Sequence, residues 1–323
     1  MTQQSVGTPA LDRDAPVYVA GHRGLAGGAI WREMQVQGFN RLVGRSSAEL
    51  DLRERDAVFS FFAEQRPAHV VLAAAKVGGI MANSSYPADF ISDNLRIQVN
   101  VLDAAAAHGV ERLLFLGSSC IYPKFAEQPI SEDSLLTGPL EPTNAAYAIA
   151  KIAGIAQIQA LREQHSLSYI SAMPTNLYGP GDNFDLASSH VLPAMIRRFH
   201  EAKLAGKPEV VLWGTGTPRR EFLHVEDLAR AAVFLLENYD EPEPINVGLG
   251  TDVTIRELAE MIAATVGYEG DLAWDSSKPD GTPRKLLDVS KLSKLGWQPQ
   301  IDLEAGVRTT YDWYAANVAT ARA

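Results

Sequence analysis

Tyr147 and Lys151 stand four residues apart in an Ala-rich stretch that is predicted to form a helix. Residues four apart lie on one face of a helix, so the phenol and the ammonium are expected to be neighbours. A phenol with its ordinary pKa of about 10 transfers protons slowly near pH 7 unless a cation shifts it. The pair therefore indicates proton transfer with a substrate oxygen. The spacing also arises by chance, and the alternative is an ordinary surface pair.

Ser118 is expected to join this pair. It follows a predicted buried strand, Arg112 to Gly117, and open α/β sheets bind their ligands at the carboxyl edge of such strands. The single cysteine, Cys120, lies two residues further along the same loop and excludes an internal disulfide. Taken alone, a lone cysteine is more often an inert buried side chain.

A glycine-rich turn lies between the first predicted strand and the first predicted helix, and consists of Gly21, His22, Arg23, Gly24, Leu25, Ala26 and Gly27. In that position, backbone N–H groups at a helix N-terminus can bind a pyrophosphate. The spacing is G-x-x-G-x-x-G rather than G-x-G-x-x-G, and a tight turn without a ligand is the alternative.

The end of the second predicted strand favours NADP over NAD. Where an acidic residue would bind the ribose of NAD, the chain has Gly44-Arg45. The guanidinium groups of Arg23 and Arg45 suit a 2′-phosphate, so NADP(H) is the predicted cofactor. A solvated loop charge is the alternative for Arg45.

Strand and helix patterns alternate through the first half of the chain, which predicts parallel strands joined by right-handed crossovers. The predicted fold is α/β, a doubly wound parallel sheet (Rossmann) with a smaller α/β C-terminal substrate domain. We expect a flexible tail at 1–15, an NADP-binding domain at 16–175 to which about 218–248 returns, and a substrate-binding domain at 176–323.

Composition excludes several classes of protein. A net charge of −10 over 323 residues argues against a basic nucleic-acid-binding surface and against attraction to an anionic membrane. The polar N-terminus does not look like a signal peptide, and no apolar run is long enough to span a bilayer. No metal-binding spacing is evident. We therefore expect a cytoplasmic protein without nucleic-acid or membrane partners.

Beyond these patterns, the chain resembles the extended short-chain dehydrogenase/reductase family, and within it the enzymes that epimerise and reduce a GDP-4-keto-6-deoxy sugar. The resemblance covers nearly the whole chain from Val17. It rests on Gly21-His-Arg-Gly24, Ala74-Ala-Lys76-Val-Gly-Gly79, Gly117-Ser-Ser-Cys-Ile-Tyr-Pro123, Glu141-Pro-Thr-Asn144, Tyr147 to Gly154, Pro174-Thr-Asn-Leu-Tyr-Gly179, Ser189-His190-Val191, Trp213-Gly-Thr-Gly216, Arg219-Arg-Glu-Phe-Leu-His224 and Lys278-Pro-Asp-Gly-Thr-Pro-Arg284.

The resemblance implies two epimerisations, at C3 and C5, followed by NADPH-dependent reduction at C4 to give GDP-L-fucose. It implies that Tyr147 protonates the C4 oxygen, that Lys151 lowers the phenol pKa and binds the nicotinamide ribose, and that Ser118 hydrogen-bonds the same oxygen. It also implies that Cys120 is the epimerisation base and His190 its proton donor. Without it, His190 would be read as a structural histidine.

The resemblance further implies two sets of binding residues and a homodimer with a four-helix interface that includes the helix of Tyr147. The GDP-sugar partner would contact Arg198, Trp213, Arg220 and Asp280, which would otherwise be read as surface charges and a core aromatic. The cofactor would contact Gly21, His22, Arg23, Gly24, Leu25, Ala26, Gly27, Arg45, Leu116, Gly117, Ser118, Ser119, Lys151, Pro174, Thr175, Asn176, Leu177 and His190.

Two other functions stay open at this point. An NAD-dependent nucleotide-sugar 4-epimerase or 4,6-dehydratase could use the same scaffold, but it would not need Cys120 with His190 and would suit an acid in place of Gly44-Arg45. A non-catalytic dinucleotide-sensing protein would need only the glycine turn, whereas this chain also has Ser118, Tyr147 and Lys151.

Overall fold

The structure is a computed structural model that describes residues 11–186, 188–278 and 280–321. The strands are β1 (Val17–Ala20), β2 (Leu42–Val43), β3 (His69–Leu72), β4 (Arg112–Leu116), β5 (Ser168–Pro174), β6 (Asn176–Tyr178), β7 (Glu209–Trp213), β8 (Arg219–Arg220), β9 (Phe222–His224), β10 (Ile245–Val247), β11 (Val253–Thr254), β12 (Asp271–Asp275) and β13 (Arg284–Lys285). The α-helices are α1 (Leu25–Val36), α2 (Arg55–Gln65), α3 (Ile80–Ser85), α4 (Pro87–Ala107), α5 (Ala145–His165), α6 (Val191–Leu204), α7 (Val225–Asn238), α8 (Ile255–Val266), α9 (Ser290–Lys294) and α10 (Leu303–Asn317).

The central sheet has six parallel strands in the order β10-β5-β4-β3-β1-β2. Its inner strands β1, β3 and β4 are short, largely apolar runs buried on both faces, as parallel strands covered by helices must be. Within β1, Val19 packs into one apolar cluster and Tyr18 into another, because successive side chains alternate across the sheet.

Helices cover both faces of this sheet. On one side, α1 packs against α7, and Met34 and Leu235 are fully buried in the shared cluster. On the other side, α2, α4 and α5 form the second cluster, with α4 packed against α5. This is the doubly wound arrangement, and the predicted fold class is confirmed.

The C-terminal half adds small sheets and a third apolar cluster. β7 pairs with β12, β6 pairs with β9, and β8 lies between β11 and β13. Helices α6, α8 and α10 enclose a cluster that includes Phe199, Ile262 and Tyr314. The chain also crosses back to the large sheet, where β10 pairs in parallel with β5.

The N-terminal segment packs against the fold from a residue nearer the N-terminus than expected. Residues 1–10 of the tail expected at 1–15 lie outside the described residues, whereas Leu11 is buried in the cluster between α1 and α7. Arg13 forms an ion pair with Glu237 of α7, 2.6 Å between Nη2 and Oε1. The expected tail is therefore wrong for Leu11 and Arg13, which both contact the folded chain.

The remaining domain boundaries stay a prediction, although α7 and β10 lie on the large sheet as the expected return of about 218–248 requires. In the described part of the chain, no helix is both long enough and apolar enough to cross a bilayer.

Candidate active site

The turn between β1 and α1 forms a closed cradle at the carboxyl edge of the sheet. Gly21 has a φ of +84°, and a Cβ there would lie 2.9 Å from the backbone nitrogen of Ala74. The Gly24 N–H donates to the Gly21 carbonyl at 2.8 Å, and Gly24 starts the helix without a capping side chain. A Cβ on Gly27 would lie 2.6 Å from the Gly21 carbonyl carbon. The turn therefore has no room for a side chain at Gly21 or Gly27, as is typical of a turn whose backbone N–H groups bind a pyrophosphate.

Two cations, Arg23 and Arg45, lie at one corner beside this turn, because both act on His22. The Arg45 guanidinium lies 5.6 Å from the centre of the Phe61 ring and donates to the Gly44 carbonyl at 2.9 Å. Burial lowers the pKa of His22, and the positive charges of Arg23 and Arg45 lower it further. The corner is therefore electropositive, which fits a phosphate group.

The same corner holds an acid that the sequence reasoning missed. The Glu49 carboxylate accepts the backbone N–H of Ser46 at 2.7 Å and its hydroxyl at 2.6 Å. These bonds lower the pKa of Glu49 first, and the charges of Arg23 and Arg45 contribute less. Glu49 thus lies within electrostatic reach of both guanidinium groups while its oxygens are held by Ser46.

The structure brings Ser118, Tyr147 and Lys151 together. A short 3-10 helix at 119–121 follows β4, and Ser118 caps it by accepting the Cys120 N–H at 3.2 Å. Ser118 is also hydrogen-bonded to the Tyr147 side chain, on the first turn of α5. One turn later, the buried Lys151 ammonium donates to the Leu116 carbonyl at 2.7 Å and lies 5.8 Å from the centre of the Tyr147 ring.

The titration of this group differs from the expectation that Lys151 lowers the phenol pKa. Burial raises the pKa of Tyr147 above its ordinary value, and the Cys120 sulfur raises it further, while the Ser118 hydrogen bond lowers it. Burial also lowers the pKa of Lys151 to about 7. The physical reason is that both groups are removed from water, and Lys151 bonds a carbonyl instead of the phenol. Tyr147 is thus a neutral phenol at pH 7, the form that donates a proton.

The sulfur of Cys120 has two N–H donors. Asn144, just before α5, donates its side-chain amide to Sγ at 3.2 Å, and Lys285 of β13 donates its ammonium at 3.6 Å. Cys120 is half-buried. Neither donor was a predicted site residue, although both stand in or beside motifs that carry the family resemblance.

His190 lies at the start of α6, on a loop that reaches back toward the large sheet. The Gly79 N–H, at the start of α3, donates to the Ser188 carbonyl at 2.9 Å. His190 is exposed, yet the protein around its imidazole lowers the pKa of that group by desolvation. His190 is therefore mostly neutral at pH 7.

The remaining predicted cofactor contacts lie at the same edge as Ser118. Leu116 is paired with Ala172, so Leu116, Gly117 and Ser119 end beside Pro174 at the end of β5. Just beyond, the side chains of Thr175 and Asn176 donate to the Glu221 carbonyl at 3.3 and 2.8 Å, and Leu177 lies in β6. These residues and the Lys151 ammonium, which contacts the Leu116 carbonyl, therefore lie at one edge of the sheet.

Three of the four predicted substrate contacts lie close together. Arg220 in β8 is paired with Lys285. Burial lowers the pKa of its guanidinium, and the negative charges of Glu141 and Asp280 partly offset this effect. Asp280 accepts the Thr215 N–H at 2.7 Å, which holds it beside the Trp213-Gly214 turn, and the Trp213 side chain is 52% exposed. Arg198 lies on α6, the helix that begins after His190.

Comparisons with known proteins identify the family of the chain. Residues 17–248 match the model of the NAD dependent epimerase/dehydratase family. The chain is 62% identical to GDP-L-fucose synthase 1 of Arabidopsis thaliana over 95% of each chain. It is 55% identical to GDP-L-fucose synthase of Escherichia coli K12 over 93% of this chain and 97% of the relative. The solved structure of a GDP-L-fucose synthetase from Naegleria fowleri bound to NADP superposes with a TM-score of 0.91 at 31% identity over the full length of both chains.

Proposed function

Because this chain belongs to the NAD dependent epimerase/dehydratase family, we propose that it converts GDP-4-keto-6-deoxy-D-mannose into GDP-L-fucose. The observation that carries the proposal is the meeting of two different proton-transfer groups around one loop. Tyr147, hydrogen-bonded to Ser118, suits a ketone reduction, and Cys120, with two N–H donors, suits removal of a carbon-bound proton. A simple reductase would need only the first group.

The two epimerisations use the acidity of hydrogens beside a ketone. Cys120, as thiolate, takes the proton from C3 or C5, and the electron pair of that C–H bond forms an enolate whose negative oxygen is at C4. Ser118 and Tyr147 stabilise that oxygen by hydrogen bonds. His190 returns a proton to the opposite face of the ring from its imidazolium form, the minor form at pH 7. Before the second carbon reacts, the Cys120 thiol releases its proton to water and His190 takes up a proton from water. Repetition at that carbon then inverts both centres.

Reduction follows at the same carbonyl. When bound, NADPH supplies the hydride for C4. Tyr147 donates its phenolic proton to the C4 oxygen as that oxygen gains negative charge, so no free alkoxide forms. The phenol of Tyr147 is protonated at neutral pH and so holds the proton that it donates, although its raised pKa makes it a weaker acid than a free phenol. Lys151 is proposed to bind the nicotinamide ribose, and its contact with the Leu116 carbonyl at the end of β4 supports this role.

The chain is a dinucleotide-binding protein by family, and we propose NADP(H) as the dinucleotide. The backbone of Gly21 to Gly27 would hold the pyrophosphate, and Arg23 and Arg45 would hold a 2′-phosphate. Arg220 is suited to the diphosphate of the GDP-sugar, because its planar guanidinium can make two parallel bonds to an anion. Arg198, Trp213 and Asp280 complete the proposed GDP-sugar contacts.

A homodimer through α4 and α5 is also proposed. These two helices pack side by side on the sheet, and their outer faces carry exposed apolar side chains, among them Val99 (40% exposed) and Ile149 (48% exposed). A matching pair of helices from a second copy would bury them in a four-helix interface. The cytoplasmic location stays a prediction.

The two chemical steps can be separated by two variants. Cys120→Ser should abolish deuterium uptake at C3 and C5 from D₂O, since a hydroxyl is a far weaker base, and NADPH affinity should stay unchanged. Tyr147→Phe should slow NADPH oxidation at least about a hundredfold, because it removes the proton donor. Mass spectrometry of the sugar and absorbance at 340 nm measure the two steps. Undiminished exchange in Cys120→Ser, or undiminished oxidation in Tyr147→Phe, would remove that residue from its role.

A further inference from the structure

The surroundings of Cys120 are built from segments far apart in the chain. Asn144 comes from the loop before α5, and Lys285 comes from β13, 165 residues beyond the cysteine. The Glu141 carboxylate joins the two segments, because one oxygen lies 3.3 Å from the Thr282 hydroxyl and the other accepts the Thr143 N–H at 3.4 Å. Both donors to the sulfur are therefore held in one connected framework.

The backbone of Lys285 is held by Arg220 and Glu221. It pairs with Arg220 in β8, and the Glu221 N–H donates to its carbonyl at 3.3 Å. The next residues are held by side chains: the Leu286 N–H donates to Gln128 at 2.9 Å, and the Leu287 N–H donates to the buried Glu221 carboxylate at 3.0 Å. Because its backbone is held in this way, the Lys285 side chain extends from a fixed point toward the Cys120 sulfur.

Other charged and titratable groups around the sulfur do not compete for this ammonium. The Tyr147 phenol faces Cys120 from α5 and is neutral at pH 7. Glu141, from the Asn144 segment, forms an ion pair with Lys124 at 3.0 Å. Arg220, on the strand beside Lys285, is a second cation, and it interacts electrostatically with Glu141 and Asp280. The Glu141 carboxylate is thus paired with Lys124, and Lys285 is the cation that contacts the sulfur.

We propose that Lys285 is a positioning residue for the epimerisations, and that its ammonium, with the Asn144 amide, holds Cys120 as a thiolate. This rests on the proposed function, in which Cys120 is the base. A nearby cation stabilises a thiolate, which is the basic form of cysteine. When the thiolate takes the carbon-bound proton, the sulfur becomes neutral and the negative charge moves to the C4 oxygen beside Ser118 and Tyr147. Lys285 gives up no proton in this step.

A competing role for Lys285 is binding of the substrate diphosphate together with its strand neighbour Arg220. The two roles predict different measurements. A diphosphate ligand changes the affinity for GDP and leaves the free thiol unaffected, whereas a thiolate partner changes the reactivity of the thiol in the absence of any ligand. Cys120 is the single cysteine of the chain, so thiol alkylation reports on this site alone.

The test compares three variants with the wild-type protein: Lys285→Met, Lys285→Arg and, as a matched loss of one positive charge, Lys294→Met, at an exposed position at the end of α9. Iodoacetamide alkylation of the unliganded protein is followed by mass spectrometry from pH 5 to pH 10. In Lys285→Met, the pH of half-maximal alkylation should rise by about one unit, which leaves about tenfold less thiolate at neutral pH. Lys285→Arg and Lys294→Met should stay near wild type.

The same variants are then assayed for deuterium uptake at C3 and C5. In Lys285→Met, uptake should fall up to about tenfold at pH 7 and approach the wild-type rate above the shifted midpoint, with the Kd for GDP within about twofold of wild type. An unchanged alkylation profile, with or without weaker GDP binding, overturns the proposal. If Lys285→Met does not fold, as judged by its thermal midpoint, Lys285→Gln replaces it.

Failure of the proposed function gives a different result. If Cys120→Ser exchanges deuterium at the wild-type rate, then Cys120 is not the base, whatever Lys285 does. The alkylation profile still decides whether Lys285 stabilises the thiolate, because it needs neither substrate nor turnover.

Discussion

Replacing Gly27 by alanine tests whether the turn between β1 and α1 binds the cofactor. The added Cβ would overlap the Gly21 carbonyl oxygen and lie 2.6 Å from its carbon, about 0.8 Å closer than the 3.4 Å at which ordinary contact begins. Because both atoms belong to the backbone, the turn and the first turn of α1 must separate. Overpacking of this kind costs about 1–3 kcal/mol, only partly offset by the roughly 1 kcal/mol gain in helix propensity.

The same displacement moves the N–H groups expected to bind the pyrophosphate. A hydrogen bond to a charged group contributes about 1.5–3 kcal/mol, so loss of one bond should weaken NADPH binding by roughly 30-fold. Gly28→Ala is the matched control in the same helix, since its Cβ would lie 3.3 Å from the His22 carbonyl oxygen and 3.6 Å from the Arg32 side chain. It should bind NADPH with near wild-type affinity.

Fluorescence titration with NADPH and urea unfolding measure these two effects. We expect Gly27→Ala to bind NADPH roughly 30-fold more weakly than Gly28→Ala and to unfold at a lower urea concentration. Equal NADPH affinity in the two variants would refute the assignment of this turn to the pyrophosphate.

Two further predictions concern the cofactor. Arg45→Asp should weaken NADPH at least about tenfold more than NADH, because the guanidinium is proposed to bind the 2′-phosphate and a carboxylate would repel it; equal losses for the two dinucleotides would contradict that role. Burial lowers the pKa of Lys151 to about 7, so its ammonium is present below that pH and is lost as the pH rises. The kcat/KM for NADPH should therefore fall above about pH 7, and Lys151→Arg, which stays charged, should lose this limb; the same limb in Lys151→Arg would exclude Lys151 as its source.

Much of the fold and part of the site could be predicted because their signals are local. The glycine turn depends on residues within seven positions, and Tyr147 and Lys151 are neighbours through helix geometry alone. The alternation of apolar runs and helical patterns likewise predicted the parallel sheet. The return of the chain through α7 to β10 follows the same pattern later in the sequence.

The remainder depends on long-range packing. Lys285 reaches Cys120 because the two-residue strand β13 pairs with β8. A strand of two residues is too short to give a periodic pattern in the sequence. Glu49 shares a corner with Arg45 because the loop after β2 turns back on itself, whereas the sequence pattern points only to the end of the strand. The raised pKa of Tyr147 follows from burial, which spacing does not reveal.

The stereochemistry of the product tests the central claim most directly. The purified protein is supplied with GDP-4-keto-6-deoxy-D-mannose and NADPH in D₂O, and the product is identified by NMR. We predict GDP-L-fucose that carries deuterium at C3 and C5, with one NADPH oxidised for each product molecule. A reduced sugar that keeps the original configuration and its protium at C3 and C5, or no consumption of the keto-sugar, would contradict the account.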